Sequence, residues 1–223
     1  SANPPKPDWR ILVAAGGKGV LMFYAIRSAL LAIALPLAAI ASLPVLLCTW
    51  SMRRAVNCYI GLWADLSCAL IGIKLNVNGQ EHLSSPRPAV FILNHQSNAD
   101  GFLVAKLIRR DIAVLGKKEI AQASITGRLM RLGGLITVDR ENTTDAASTM
   151  RALTNAIREE NRSTAIFPEG TRSQTKTPGQ FQRGAFLIAL RAGVPIIPIV
   201  IHNSIDVQQR GEMIYRPATV RVD

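Results

Sequence analysis

His95 and Asp100 sit five residues apart in the run Asn94-His95-Gln96-Ser97-Asn98-Ala99-Asp100. A carboxylate held on imidazole Nδ1 fixes the tautomer and leaves Nε2 as a base able to take a proton from an alcohol. The apolar run from Pro88 to Leu93 reads as a buried strand ending just before His95, and Leu103, Val104, Leu107 and Ile108 then recur at helical spacing. His95 is therefore expected at a strand-to-helix junction, where open α/β folds place ligands and chemistry. Ser97 is the expected N-cap, with Asp100 one turn into the helix. Ser97-x-x-Asp100 is equally a capping-box pattern in which Asp100 merely reaches back to a backbone N–H. Taken alone, the segment supports both readings.

A second segment, Phe167-Pro168-Glu169-Gly170-Thr171-Arg172-Ser173, follows another apolar run, Ser163 to Phe167. Leu135 to Val138 reads as a further strand and ends in Asp139-Arg140. Two strand ends thus each deliver an arginine. The guanidinium presents a planar fork of donors suited to phosphate oxygens, and Gly170 permits close backbone approach of an anion. This is phosphate-site chemistry without a Walker loop. Either arginine alone would read as a surface ion pair, but two of them on strand ends beside the His95/Asp100 pair favour a site.

These blocks, in their order along the chain, resemble the glycerolipid acyltransferases, and most of all the bacterial enzymes acting on 1-acylglycerol-3-phosphate. Asn94-His95-x4-Asp100 is similar to the family's first block and Gly134-Leu-Ile-Thr-Val-Asp139-Arg140 to its second. Phe167-Pro-Glu-Gly-Thr-Arg172-Ser173 is similar to the third, and Val194-Pro195-Ile-Ile-Pro198-Ile-Val to the fourth. Gly116-Lys117-Lys118-Glu119-Ile120, Gly127 and Phe181-x-Arg183-Gly184 also match. The resemblance covers roughly residues 74 to 222. Two departures stand out: Thr137 where a larger apolar residue is frequent, and Gln182-Arg183 where two lysines are frequent.

The resemblance implies an α/β fold, a mixed and mostly parallel sheet flanked by helices, joined to an N-terminal membrane-associated helical segment. It also implies direct transfer of an acyl group from acyl-CoA or acyl carrier protein to the sn-2 hydroxyl of lysophosphatidic acid, giving phosphatidic acid for phospholipid biosynthesis. His95 would be the base and Asp100 its orienting partner. Arg140 and Arg172 would hold the acceptor's phosphate, with Lys117 beside them. Glu169, Gly170 and Thr171 would shape the loop, and Glu169 and Gly170 would reach glycerol oxygens. Neither a metal nor a cofactor beyond the acyl donor is called for. The chain carries no Gly-x-Ser-x-Gly elbow and no cysteine near the base, which argues against a serine hydrolase or a thiol relay. Gln96 stands where a condensation-type domain would carry a second histidine. The remaining alternatives are another lysolipid or glycolipid acceptor, and a non-catalytic membrane-binding module that kept the fold.

The positioning elements divide the chain into residues 1–73, membrane-associated helices, and 74–223, the acyltransferase domain. Across 223 residues, 48% are hydrophobic and the mean hydropathy is +0.20, above an ordinary soluble chain. The excess lies near the start. No charged residue occurs from Ser28 to Trp50, a stretch of about 34 Å if helical and long enough to cross a hydrocarbon core. Pro36 and Pro44 favour a kink, re-entrant packing or an early end. From Asn57 to Ile73, Tyr59, Leu62, Trp63, Leu66, Ala69, Leu70 and Ile73 fall on one helical face, with Asn57, Gly61, Asp65, Cys68 and Gly72 on the other. Such a helix suits either a membrane interface or a place covering the catalytic domain.

Arg10, Lys18 and Arg27 precede the uncharged stretch, and Arg53 and Arg54 follow it. Basic residues on both flanks fit a hairpin or monotopic insertion with both ends on the cytoplasmic face of the inner or plasma membrane, or of the endoplasmic reticulum in a eukaryote. The stretch is too long for a cleavable signal and lacks a convincing cleavage site. A net charge of +11 and a pI near 10.3 call for an anionic partner. Nucleic acid is a poor match, because aromatics make up 5% and do not interleave with the basic residues. An anionic membrane surface fits better. Cys48, Cys58 and Cys68 have neither Cys-x-x-Cys spacing nor a histidine cluster, so buried reduced thiols are expected and zinc is not. The chain starts without methionine and stops on a strand-like run, Ala218 to Asp223, as a piece of a longer protein would.

Overall fold

The computed structural model describes residues 9–84, 87–117, 135–138, 143–173 and 175–223. The expectations for Arg140, Gly127, Gly134 and the side chain of Lys117 fall outside the described residues. Helix α1 spans Trp9–Thr49 and α2 spans Met52–Ile71. Strand β1 (Ile73–Val77) follows directly, then β2 (Val90–Leu93), α3 (Asp100–Ile108), β3 (Ile112–Lys117) and β4 (Leu135–Val138). Helix α4 (Thr143–Arg158), β5 (Ser163–Ile166), α5 (Gly184–Ala192), β6 (Ile196–Ile199), β7 (Ile201–His202) and β8 (Ala218–Val222) complete the described elements.

The main sheet has the order β4-β3-β5-β2-β6 and is parallel throughout. A smaller sheet, β1-β8-β7, holds the antiparallel pair β7 and β8. This is the expected mixed, mostly parallel arrangement. Strand β2 lies near the middle and is buried on both faces, as its unbroken apolar run requires of a parallel strand. Phe91 and Leu93 pack with Leu103, Val104 and Ile108 of α3, while Val90 and Ile92 pack with Leu153 and Ile157 of α4 and Ile188 of α5. The two-residue period of the strand thus feeds two separate cores.

Helix α1 runs unbroken through Pro36 and Pro44, correcting the expectation of an early end or a re-entrant turn. Its buried face is Ala34, Ala38 and Ser42, small residues at four-residue spacing. They let α2 pack closely along α1, and that contact offsets the backbone hydrogen bonds each proline removes. Helix α2 starts earlier than its amphipathic pattern suggests. The Ser51 side chain caps it by accepting from Arg54 N, and Gly72 closes it in the left-handed conformation, donating to Cys68 O and Ala69 O.

The burial of α2 also corrects the two-faced reading. Gly61 and Cys68, assigned to the polar face, are buried, whereas Ala69 is exposed. The reason is that α2 lies between two partners, α1 on one side and α3 on the other. Of the two places open to this helix, the structure has it packed against α3 of the α/β domain. Trp63 meets the Phe102 ring edge-on at 5.2 Å. Asp65 accepts from Lys106 Nζ at 2.5 Å and from Arg109 at 2.8 Å, and Arg53 donates to Asp111 at 2.5 Å. All three cysteines are free, and only Cys68 is buried, so the expectation of buried thiols fails for Cys48, which is exposed, and for the half-buried Cys58.

Candidate active site

Strands β2 and β5 are parallel neighbours, with Ile92 opposite Ile166. Their C-terminal ends therefore lie side by side, and the two loops that leave them meet. One carries His95, the other Phe167 to Ser173. Residues about 74 apart in sequence are brought into hydrogen-bond contact by this register.

Asp100 opens α3 and is fully buried. Its Oδ2 lies 2.8 Å from His95 Nδ1 and also accepts from Gln96 N at 2.8 Å and Ser97 N at 2.9 Å. An oxygen that accepts two backbone N–H bonds takes a third donor from the imidazole, so the proton sits on Nδ1 and Nε2 carries the lone pair. The contacts to the loop N–H groups and the contact to the His95 ring are made together, through one oxygen atom. Ser97 is not the N-cap. Ala99 holds that position without a side-chain cap, and the Ser97 hydroxyl accepts from Ala99 N at 3.2 Å. The Asp100 carboxylate has taken over the loop's N–H groups, leaving the hydroxyl a shorter reach.

The imidazole is 21% exposed and stacks on the Phe167 ring, with centroids 4.1 Å apart and planes 19° from parallel. Its backbone is bracketed as well. His95 N donates to Glu169 Oε1 at 2.7 Å, and His95 O accepts from Ser173 N at 2.7 Å. The other Glu169 oxygen accepts from Gly179 N at 2.6 Å. A Cβ on Gly179 would come within 3.2 Å of that same oxygen, so glycine keeps the approach open. Both oxygens of this buried carboxylate are thus engaged by backbone donors, which makes Glu169 the shaper of the loop.

Gly170 takes φ +68°, the left-handed region that favours glycine, and lies under Gln182, whose Nε2 would be 3.1 Å from an added Cβ. Thr171 is exposed and borders a cleft of about 540 Å³ bounded also by Glu169, Ser173, Gly179, Phe181 and Arg183. Arg172 is half-buried outside that cleft's lining, close enough to Tyr215 for its charge to act on the hydroxyl, and makes no hydrogen bond or ion pair among the described residues. Burial pushes the Tyr215 hydroxyl above the usual tyrosine range, while a hydrogen bond from Gln208 and the Arg172 charge pull it back.

Three positioning groups had no assigned role in the sequence. Asn94 clamps the start of β7, its Nδ2 donating to Ile201 O at 2.9 Å and its Oδ1 accepting from Ile201 N at 2.7 Å. Gln96 Nε2 donates to Thr175 O at 3.2 Å. Phe167 supplies the face on which the imidazole rests. Their presence inside the two matched blocks was the available signal; their partners carry none.

An acyltransferase family model matches residues 74–202. The chain is 34% identical over 143 residues to the 1-acyl-sn-glycerol-3-phosphate acyltransferase alpha of Mus musculus, covering 64% of this chain and 50% of the relative. It is 35% identical over 153 residues to the 1-acyl-sn-glycerol-3-phosphate acyltransferase of Haemophilus influenzae, covering 67% and 64% respectively. The chain thus spans half to just under two thirds of the length of these curated relatives. Among solved structures, the 1-acyl-sn-glycerophosphate (LPA) acyltransferase PlsC from Thermotoga maritima shares the fold, with a TM-score of 0.65 at 22% identity over 88% of this chain and 84% of that one.

Proposed function

This chain belongs to the acyltransferase family, and from that membership and the geometry around His95 we propose that it transfers a fatty acyl group from an acyl thioester to the sn-2 hydroxyl of lysophosphatidic acid, giving phosphatidic acid. The observation that carries the reading is the buried Asp100 carboxylate 2.8 Å from His95 Nδ1. In the reaction His95 Nε2 takes the hydroxyl proton as the oxygen attacks the thioester carbonyl carbon. The carbon–sulfur bond then breaks, and the leaving thiolate takes that proton from Nε2. The imidazolium formed in between is stabilised by Asp100. No acyl-enzyme is required: Cys58 and Cys68 lie on α2 and Cys48 on α1, outside the loops that form the site.

Arg172 binds the acceptor's phosphate, assisted by Arg140 and Lys117, and Gly170 and Thr171 give the phosphoglycerol its backbone approach. Glu169 holds the loop to the base. The domain comprises residues 74–223, and residues 1–73 attach it to the membrane. Helix α1 exposes Phe23, Ile26, Ile33, Leu37, Ile40, Leu43 and Leu47 along its outer face. Because α2 is tied to the catalytic domain through both Arg53 and Asp65, a helix packed along it runs beside the domain. This arrangement supports monotopic attachment to an anionic cytoplasmic surface, with the lysolipid entering from the leaflet and the thioester from water.

Purified protein in detergent, offered labelled acyl-CoA or acyl carrier protein thioester with a panel of lysolipids, tests the proposal. Phosphatidic acid should form from lysophosphatidic acid, with little product from lysophosphatidylcholine. Preferential use of an acceptor that lacks a terminal phosphate would sink the acceptor assignment.

A further inference from the structure

Apart from Thr171 and the loop-holding Glu169, the lining of the cleft beside the base has no part in holding the proposed acceptor. Arg172 is absent from its wall and sits by Tyr215 instead. The wall facing Thr171 and Ser173 is the segment Gly179 to Arg183, which places two amide side chains, an aromatic ring and a guanidinium in succession. Phe181 is 45% exposed, which leaves its ring accessible in the cleft wall. Gln180, Gln182 and Arg183 have no side-chain hydrogen bond or ion pair among the described residues. The carboxylate in the cleft's lining, Glu169, has both oxygens engaged by His95 N and Gly179 N. The same two bonds fix one end of the cleft to the catalytic base.

Resting on the acyl-transfer reading, we propose that this cleft receives the phosphopantetheine arm of the acyl donor, with Arg183 on its phosphate. The arm is a chain of two amides separated by short carbon segments, with the thioester at one end and a phosphate at the other. Its amides match Gln180 and Gln182, its branched carbon segment matches the Phe181 ring, and its phosphate matches the fork of Arg183. Donor and acceptor phosphates are thereby separated, one on Arg183 and one on Arg172, with the base between the two loops. The arm is common to coenzyme A and acyl carrier protein, so both sources present the same group.

The test compares wild type, Arg183→Ala and Arg183→Lys with three donors: acyl-CoA, acyl carrier protein thioester, and an acyl-pantetheine thioester that ends before the phosphate. Arg183→Ala should raise KM on the order of tenfold for both phosphate-bearing donors. It should leave KM for acyl-pantetheine and for lysophosphatidic acid unchanged, and Arg183→Lys should recover part of the loss. A rise in KM for lysophosphatidic acid instead would give Arg183 to the acceptor and overturn the assignment. A rise with acyl-CoA alone would move the contact to the nucleotide and overturn it too, as would no change or an equal loss with all three donors. Absence of transfer by the wild type from every donor is a separate result, which removes the acyl-transfer reading itself.

Discussion

Around His95, the bonds that set the geometry are buried or partly buried and join residues far apart in the chain: Asn94 to Ile201, Glu169 to His95 N, Ser173 N to His95 O. The α1–α2 hairpin is fastened differently. Beside the core contacts of Cys68 and Ile71 and the Trp63–Phe102 ring contact, its polar ties to the α/β domain include ion pairs with partly exposed side chains, Arg53 to Asp111 and Asp65 to Lys106 and Arg109, while its outer face leaves large apolar residues uncovered. A buried hydrogen bond has no competing water and permits little displacement. A surface ion pair is screened and worth little by itself. The loops around His95 are thus held in one position, while the hairpin presents an outer face that is largely apolar.

The comparison breaks most directly at the base. His95→Ala should reduce turnover by roughly 10² to 10⁴, with the circular dichroism spectrum and membrane attachment retained. Near-normal turnover would remove His95 from the chemistry. Glu169→Gln comes next. Its amide nitrogen would face the N–H of Gly179, two donors without an acceptor, and the released loop should cost about 10² in kcat/KM, the scale of a small misplacement of a catalytic group. If activity stays within twofold, the bracket around His95 is not what positions it. Arg172→Ala should raise KM for lysophosphatidic acid by about tenfold or more, through loss of a charge-assisted contact. The acyl-donor KM should hold; a change confined to the donor would reverse the two arginines' roles.

The smallest effect belongs to the hairpin. The hydrogen bond from Arg109 holds the Asp65 carboxyl below the usual carboxylate range, opposed by partial burial and assisted by Lys106. A depressed folded value means that the contribution is present above the unfolded pKa, about 3.9, and is lost as pH falls through the lower folded value. Asp65→Asn should therefore lower Tm by about 2 °C at neutral pH. The gap should shrink with added salt and close in acid. A gap of the same size in acid would show that packing, and not charge, is what Asp65 supplies.

Much of this was legible before any coordinates. The run from Pro88 to Leu93 became β2, Leu103 to Ile108 became part of α3, and the His95/Asp100 pair formed as its spacing required. These features are short-range. A strand's period, a helix's period and a bond across five residues are fixed within a turn or two of chain, so the local sequence determines them. The role of Ser97 was misread because two acceptors competed for the same loop N–H groups, and only geometry decides between a hydroxyl and a carboxylate.

The tertiary structure alone decided the rest. That Glu169 would bracket His95 depends on β2 and β5 lying adjacent and parallel in one register, and no residue type near either strand announces its neighbour. That Gly61 and Cys68 would be buried on the side assigned to solvent depends on α2 having partners on two sides. That α1 would continue through two prolines depends on the packing of α2 along it. In each case the free energy comes from atoms distant in sequence, and pairing between distant segments leaves no periodic trace in either one.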